Sequence, residues 1–160
     1  MNKSKSVAFI VLGIIGICGA GAAYAGPLSP PTLEISAPAQ PKESLAIPGA
    51  QRVPFTTIQL RAVGADITVQ SITVVHTGIA DETVYDSIVL LDENGDLIAD
   101  DKRLKEGQVI FDEPFVIPKG ALRTLTIGAN MAGDLAEFEG QRPALTITDV
   151  RAYIVQPVSL

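Results

Sequence analysis

The side chain best suited to chemistry in this sequence is His76, the single histidine among the 160 residues. Imidazole is a common general base and metal ligand, so histidine-dependent catalysis would have to use this residue. A Ser-His-Asp triad also needs a nucleophile within hydrogen-bond reach, and the sequence contains no G-x-S-x-G motif that would present a serine. We therefore expect His76 to be a half-exposed residue at the end of a strand, without a catalytic role.

The acidic run 92–96 places carboxylate and amide oxygens at alternate positions, which is a ligand type that Ca²⁺ prefers. A calcium loop of the EF-hand type needs glycine at its sixth position and glutamate at its twelfth. Here Gly95 stands at the fourth position and Arg103 at the twelfth. We expect a solvated hairpin tip, and weak calcium binding at 92–101, extended by Asp100 and Asp101, is the open alternative.

Two adjacent acidic pairs, Asp81-Glu82 and Asp112-Glu113, have the residue type that glycosidases use. Adjacent residues of a strand point to opposite faces, and sugar-binding enzymes commonly offer aromatic platforms, whereas this sequence has no tryptophan. We interpret both pairs as loop and strand-end charges. The sequence also lacks a phosphate-binding glycine loop and a metalloprotease motif. We therefore predict that the protein is not an enzyme and has no catalytic, cofactor-binding or metal-binding residues.

The elements that follow Gly49 are short segments with the composition of β-strands, separated by turn residues. No segment after the first 25 residues has a convincing helical period. The predicted strands are 53–63, 67–76, 87–91, 97–99, 108–111, 115–117, 122–129 and 144–155. Strands of this length and spacing predict one all-β domain over residues 49–160, an antiparallel β-sandwich of Ig-like or fibronectin-III-like type.

One turn and one strand irregularity refine this prediction. Asn94-Gly95 is typical of a type I′ turn, which needs positive φ at both residues, and would join the strands 87–91 and 97–99. In the strand 67–76, apolar residues lie at odd positions before residue 70 and at even positions after residue 71. This change of parity predicts a β-bulge near Gln70-Ser71, which would let one strand contribute to both sheets.

The first 25 residues have the three parts of a secretory signal peptide: basic Lys3 and Lys5, an apolar stretch at 7–18, and the small-x-small site Ala23-Tyr24-Ala25. We expect cleavage after Ala25. Retention as a membrane anchor is the alternative, because residues 7–25 approach the ~20 apolar residues that span a bilayer.

Cleavage would change both the charge and the cysteine content of the chain. The full sequence has 12 basic and 18 acidic residues, and the signal contains two of the basic ones, so the remaining net charge would be −8. An acidic surface disfavours binding to nucleic acid and to anionic membranes. Loss of Cys18 would leave no cysteine, so disulfides and thiolate metal sites are excluded from the mature chain.

Residues 26–48 contain six prolines, which prevent a helix and predict an extended arm. Within it, residues 32–37 alternate polar and apolar side chains, as a short half-buried strand does. Leu33 and Ile35 share one parity and are our candidate assembly residues, since an extended peptide can add to the exposed sheet edge of a neighbouring molecule. The arm folding back as a first strand of its own domain, and a disordered spacer, are the alternatives.

Four segments together resemble the small Ig-like modules of bacterial cell-surface proteins: 66–74, 87–92, 117–120 and 124–129. The resemblance covers roughly residues 53–131 and is a pattern of strands and turns. It implies a sandwich fold and a location in the cell envelope, and it carries no catalytic residues.

These observations predict a non-enzymatic, exported structural protein of the extracellular cell surface. It would be a fibre or envelope-layer subunit that associates with itself by β-strand donation, or that binds a cell-surface partner protein. The first alternative is a monomeric secreted binding or adhesion module that recognises a polymer or a partner protein through the loops 78–85 and 101–107. A small secreted hydrolase, with a site near His76 or the acidic pairs, is a third alternative.

Overall fold

A computed structural model describes residues 30–154 of the chain. The predicted signal peptide and its cleavage site, residues 26–29 and the last residue of the predicted strand 144–155 lie outside this range. The strands are β1 Thr32–Ser36, β2 Val53–Val63, β3 Ile67–Ile79, β4 Tyr85–Leu91, β5 Gln108–Phe111, β6 Phe115–Ile117, β7 Leu122–Met131 and β8 Arg142–Ile154. Over residues 30–154 the helical elements are two short 3₁₀ turns, Glu82–Val84 and Ala136–Phe138, and no helix could span a membrane.

The strands form two antiparallel sheets around one hydrophobic core. The first sheet has the order β1-β2-β7-β4. In the second sheet β3 is central, with β8 along one side and β6 and β5 end to end along the other. Both sheets bury their inner side chains in the same cluster, which includes Leu60, Leu90, Ile127, Val69, Ile72 and Phe111. The predicted all-β architecture of two antiparallel sheets is therefore confirmed.

Most predicted strands agree with the observed ones, and β2, β5 and β6 have the bounds that the sequence predicted. The predicted strand at 97–99 is wrong. Leu97 forms only an isolated bridge with Leu91, and the chain then bends, so that Ala99 is buried in the core. Ala99 therefore packs in the core where a regular strand would continue to pair with β4. The chain pairs with β4 again at Lys102, which exchanges backbone hydrogen bonds with Ile88.

The type I′ turn predicted at Asn94-Gly95 is also wrong, because only Gly95 has a positive φ there, at 82°. The side chain of Asp92 shapes this loop instead: its Oδ1 accepts hydrogen bonds from the N–H groups of Asn94 at 2.8 Å and Asp96 at 3.0 Å. Short-range bonds of this kind compete with standard turn geometry.

A turn with the expected I′ features is found at Glu106-Gly107, where φ is 54° and 75°. The flanking residues exchange two backbone hydrogen bonds, from Lys105 N to Gln108 O at 2.8 Å and from Gln108 N to Lys105 O at 3.1 Å. A glutamate in the left-handed region is uncommon, so sequence rules do not place the turn here.

The bulge predicted near Gln70-Ser71 is confirmed, since the register of β3 against β8 shifts between Val69 and Ser71. Its predicted consequence is wrong: within residues 30–154, β3 pairs with β5, β6 and β8, which all belong to the second sheet. The bulge instead keeps Val69 and the apolar residues after it on the same, buried face of one strand.

Candidate assembly site

The strand of the arm, β1, lies at the edge of the first sheet and pairs antiparallel with β2 of the same chain. Leu33 is opposite Ala62 and Ile35 is opposite Leu60, and both side chains pack, half-buried, against the core. The folded-back arm, which the sequence left open as an alternative, is thus the arrangement within a single chain. The face that we predicted for assembly is the face that β1 turns toward the core.

The position of β1 explains why its apolar side chains are only half covered. The second sheet ends at β8, which lies against β2, and the Thr56 hydroxyl donates a hydrogen bond to the carbonyl oxygen of Leu145 between them. Because β1 is an edge strand, one strand beyond β2, its apolar side chains Leu33 and Ile35 pack at the margin of the core and stay half-buried. A docked edge strand of this kind gains less from burial than a strand in the middle of the sheet.

The side chain of Gln40 extends the pairing of the arm along β2. Its Oε1 accepts from Thr57 N at 3.0 Å, and its Nε2 donates to Thr57 O at 2.9 Å and to Pro38 O at 2.9 Å. The carboxamide therefore satisfies the two backbone groups that a further strand residue would satisfy. Sequence analysis missed Gln40, because an exposed glutamine among prolines gives no periodic signal.

The other end of the arm is fixed by the close packing of Pro31 on Gly64. A Cβ atom at Gly64 would lie 3.0 Å from Pro31 Cα, and Gly64 has a φ of 88°. Both conditions favour glycine at the turn between β2 and β3. We call residues 31–40, from this contact to Gln40, the docking segment.

The docking segment is joined to β2 by residues 41–48, which we call the connector. Leu45 is 94% exposed and Ile47 is 67% exposed, so these apolar side chains of the connector do not pack on the domain. Hydrogen bonds to the body of the domain resume at Gly49, whose N–H donates to Ala132 O at 2.9 Å. Neighbouring antiparallel strands are usually joined by two to five residues, so the connector leaves the docking segment loosely tethered.

The two loops that we proposed for ligand binding lie side by side. Glu82 Oε2 accepts from Gly107 N at 2.9 Å, and Gly107 O accepts from His76 N at 2.7 Å. Beside them is an open groove of about 580 Å³, lined by Lys102, Arg103, Lys105, Glu106, Gln108, Val109 and Ile110. Carboxylates of the same chain contact two of its cations: Asp112 and Glu113 contact Lys102, and Asp86 contacts Arg103. These internal ion pairs reduce the net positive charge that the groove offers to a ligand.

His76 is half-buried, as expected, but it is not at a strand end, because β3 continues to Ile79. Its ring packs edge to face on Tyr85, with 5.6 Å between ring centroids, and Tyr85 packs on Phe55 at 5.4 Å. Within residues 30–154, neither His76 Nε2 nor the Tyr85 hydroxyl has a hydrogen-bond partner. Burial raises the pKa of Tyr85 above its usual value. The contacts of His76 are therefore those of an aromatic packing cluster.

The paired carboxylates have local partners. Asp81 accepts from the hydroxyl and the N–H of Thr83, which hold the pKa of Asp81 below its usual value. Asp112 contacts the Lys102 ammonium, and this hydrogen bond and charge lower the pKa of Asp112. These contacts fit the interpretation as loop and strand-end charges.

The carboxylate of Asp92 gives a testable pH dependence. Hydrogen bonds from the N–H groups of Asp96 and Asn94 hold the pKa of Asp92 below its usual value. Because this pKa is lowered by folding, Asp92 stabilises the fold above about pH 4, and the contribution is lost as the pH falls through the folded pKa. We expect Asp92→Asn to lower the free energy of unfolding at pH 7 and to weaken its fall between about pH 5 and 2.

Urea unfolding at a series of pH values measures this effect. Asp100→Asn is the matched control, because Asp100 is an exposed neighbour whose side chain makes no hydrogen bond within residues 30–154. An Asp92→Asn protein that keeps the acid sensitivity of the parent would show that the assignment is wrong.

The candidate assembly site thus combines residues that the sequence predicted with residues that it did not. Leu33 and Ile35 were predicted from alternation, whereas the contributions of Pro31, Gly64 and Gln40 are visible only in the folded chain. No protein-family model, curated protein or solved structure matches this chain, so no family assignment follows from comparison.

Proposed function

We propose that this protein is a non-enzymatic structural subunit of the cell exterior, which assembles with copies of itself by exchanging strand β1. The observation that carries the proposal is the attachment of β1, a half-covered edge strand tethered through the exposed connector. A strand held in this way finds the same contacts on β2 of a second copy. Export and the surface location rest on the signal-like residues 1–25.

The energetics favour exchange without unfolding of the domain. Full burial of a leucine or isoleucine side chain contributes ~1.5–3 kcal/mol, and Leu33 and Ile35 reach only part of this because they are half-buried. The buried core residues all lie outside β1, so release of β1 removes only half-buried side chains from the core. A released β1 also exposes the unpaired edge of β2, which favours pairing with another chain.

We also propose that the domain belongs to the Ig-like class of sandwiches. The chain passes repeatedly between the two sheets: β2 to β3, β3 to β4, β4 to β5, β6 to β7 and β7 to β8 each change sheet. Ig-like sandwiches have crossing connections of this kind around a single core.

Donation of β1 joins two different surfaces, the docking segment of one copy and the β2 edge of the next. Such a heterologous contact produces an open fibre unless rotation between subunits closes a ring. Electron microscopy of the purified protein tests this, and we expect filaments or sheets. Featureless small particles at high protein concentration would argue against a structural subunit.

One observation favours the binding module as the second candidate. The loops 78–85 and 101–107 converge beside the groove, and Glu106 at its rim has a φ of 54°. Strained non-glycine residues are enriched at functional sites. This candidate predicts a monomer whose ligand binding is lost when the loops are changed, and whose size does not depend on β1.

A further inference from the structure

We infer that Gln40 is a latch that controls how fast the arm is exchanged, and that the exchanged unit is the whole docking segment and not β1 alone. This inference rests on the proposed function. The partner surface is residues 57–63 of β2, with Gly64 in the turn that follows, on a second copy of this chain. Gln40 is a positioning residue for the assembly contact.

The hydrogen bonds of Gln40 belong to the docking segment, which is the part of the arm that would move in an exchange. Ser36 is the last β1 residue in the ladder and pairs with Gln59, and Gln40 then pairs with Thr57, two residues along the same edge. In an antiparallel strand, alternate residues direct their backbone groups to the same side. The carboxamide therefore continues the ladder at the position where a further β1 residue would stand.

The connector is the hinge of this movement, as the contacts on each side of it indicate. Pro31 is packed on Gly64 and Gln40 is bonded to Thr57, so the docking segment is held at both ends. The connector begins at Pro41 and includes the exposed Leu45, and backbone contacts with the domain resume at Gly49. When the chain bends within the connector, Gln40 therefore leaves β2 together with β1.

This arrangement separates the rate of exchange from its equilibrium. The Gln40 contacts are the same on the chain's own β2 and on that of a neighbour, so removing them weakens both states equally. Release from the original site must break these contacts first. Gln40→Ala should therefore accelerate exchange about tenfold, since the two hydrogen bonds to Thr57 on β2 are lost, and leave the final extent of exchange unchanged.

A disulfide trap between two chains measures the exchange. Glu34 and Arg61 are opposite each other in the β1–β2 register and both are exposed, so cysteines at these positions lie within bonding reach. In a Cys18→Ser background, a Glu34→Cys protein is mixed with an Arg61→Cys protein under mild oxidation. Mass spectrometry then follows the peptide linked through positions 34 and 61, which only pairing between chains can produce.

Two controls accompany the mixture. The double variant Glu34→Cys/Arg61→Cys reports the same link within one chain, which the observed register predicts. Lys42→Ala is the matched control for Gln40→Ala, because Lys42 is an exposed residue of the connector and makes no hydrogen bond within residues 30–154.

The outcomes distinguish the latch from the proposed function. A 34–61 link between chains that forms about tenfold faster with Gln40→Ala, unchanged with Lys42→Ala, and to the same final extent, supports the latch. If the link forms at the parental rate with Gln40→Ala, the latch is wrong and strand exchange stands. If the double variant links within its chain but the mixture never links, strand exchange itself is wrong.

Discussion

Replacing Gly78 by alanine is expected to lower the free energy of unfolding by about 3 kcal/mol or more. Gly78 has a φ of 95°, and a Cβ atom there would lie 2.5 Å from the carbonyl oxygen of Arg142. Gly78 is opposite Pro143 where β3 and β8 pair, so the clash is relieved only if the two strands separate there and lose their pairing. The variant thus combines backbone strain with a clash against the neighbouring strand. Urea unfolding of the purified variant and parent measures the difference.

Gly120→Ala is the matched control for this experiment. Gly120 has a similar φ of 79°, but a Cβ atom there meets no atom within 4 Å. Its substitution should cost only the backbone term, about 1–2 kcal/mol. Equal destabilisation by the two substitutions would contradict the close approach of β8 to Gly78.

Replacing Leu33 and Ile35 together by aspartate is expected to abolish assembly while the rest of the domain stays folded. Both side chains face the core from β1, and a carboxylate cannot be buried there without a partner at an acceptable cost. The change prevents docking on the chain's own β2 and on the β2 of a neighbour equally. Sedimentation velocity should therefore show monomers at concentrations where the parent forms large species.

The double variant Leu45→Asp/Ile47→Asp is the matched control, because it adds the same two charges to exposed apolar residues of the connector. It should assemble like the parent. If both double variants assemble normally, donation of β1 is wrong. If only the connector variant loses assembly, the contact runs through the connector instead of the docking segment.

The sequence was informative where side-chain alternation and turn residues agree. The strands at 53–63 and 108–111 have alternating inner and outer residues bounded by turns, and the structure has the same bounds. The short apolar run 97–99 has no alternation, so packing of Ala99 and not sequence pattern determined its path. At Asn94-Gly95 a side-chain contact from Asp92 outweighed the preference of the dipeptide.

Part of the candidate site was predictable because side-chain alternation along a strand is visible in the sequence. Leu33 and Ile35 are on one face of a strand, and the period of two is a local property that the sequence displays. The role of Gln40 depends on Thr57, which is distant along the chain and comes close only when β1 has docked. Contacts of this kind are a product of the fold and leave no local pattern.

The most direct test of assembly through the arm is the molar mass of the purified protein, measured by light scattering over a series of concentrations. The same measurement is made on a variant from which residues 26–41 are deleted. Assembly by strand exchange predicts that the mass of the parent rises with concentration, and that the deletion variant stays monomeric. A parent that remains strictly monomeric at high concentration, or a deletion variant that forms the same large assemblies, would contradict it.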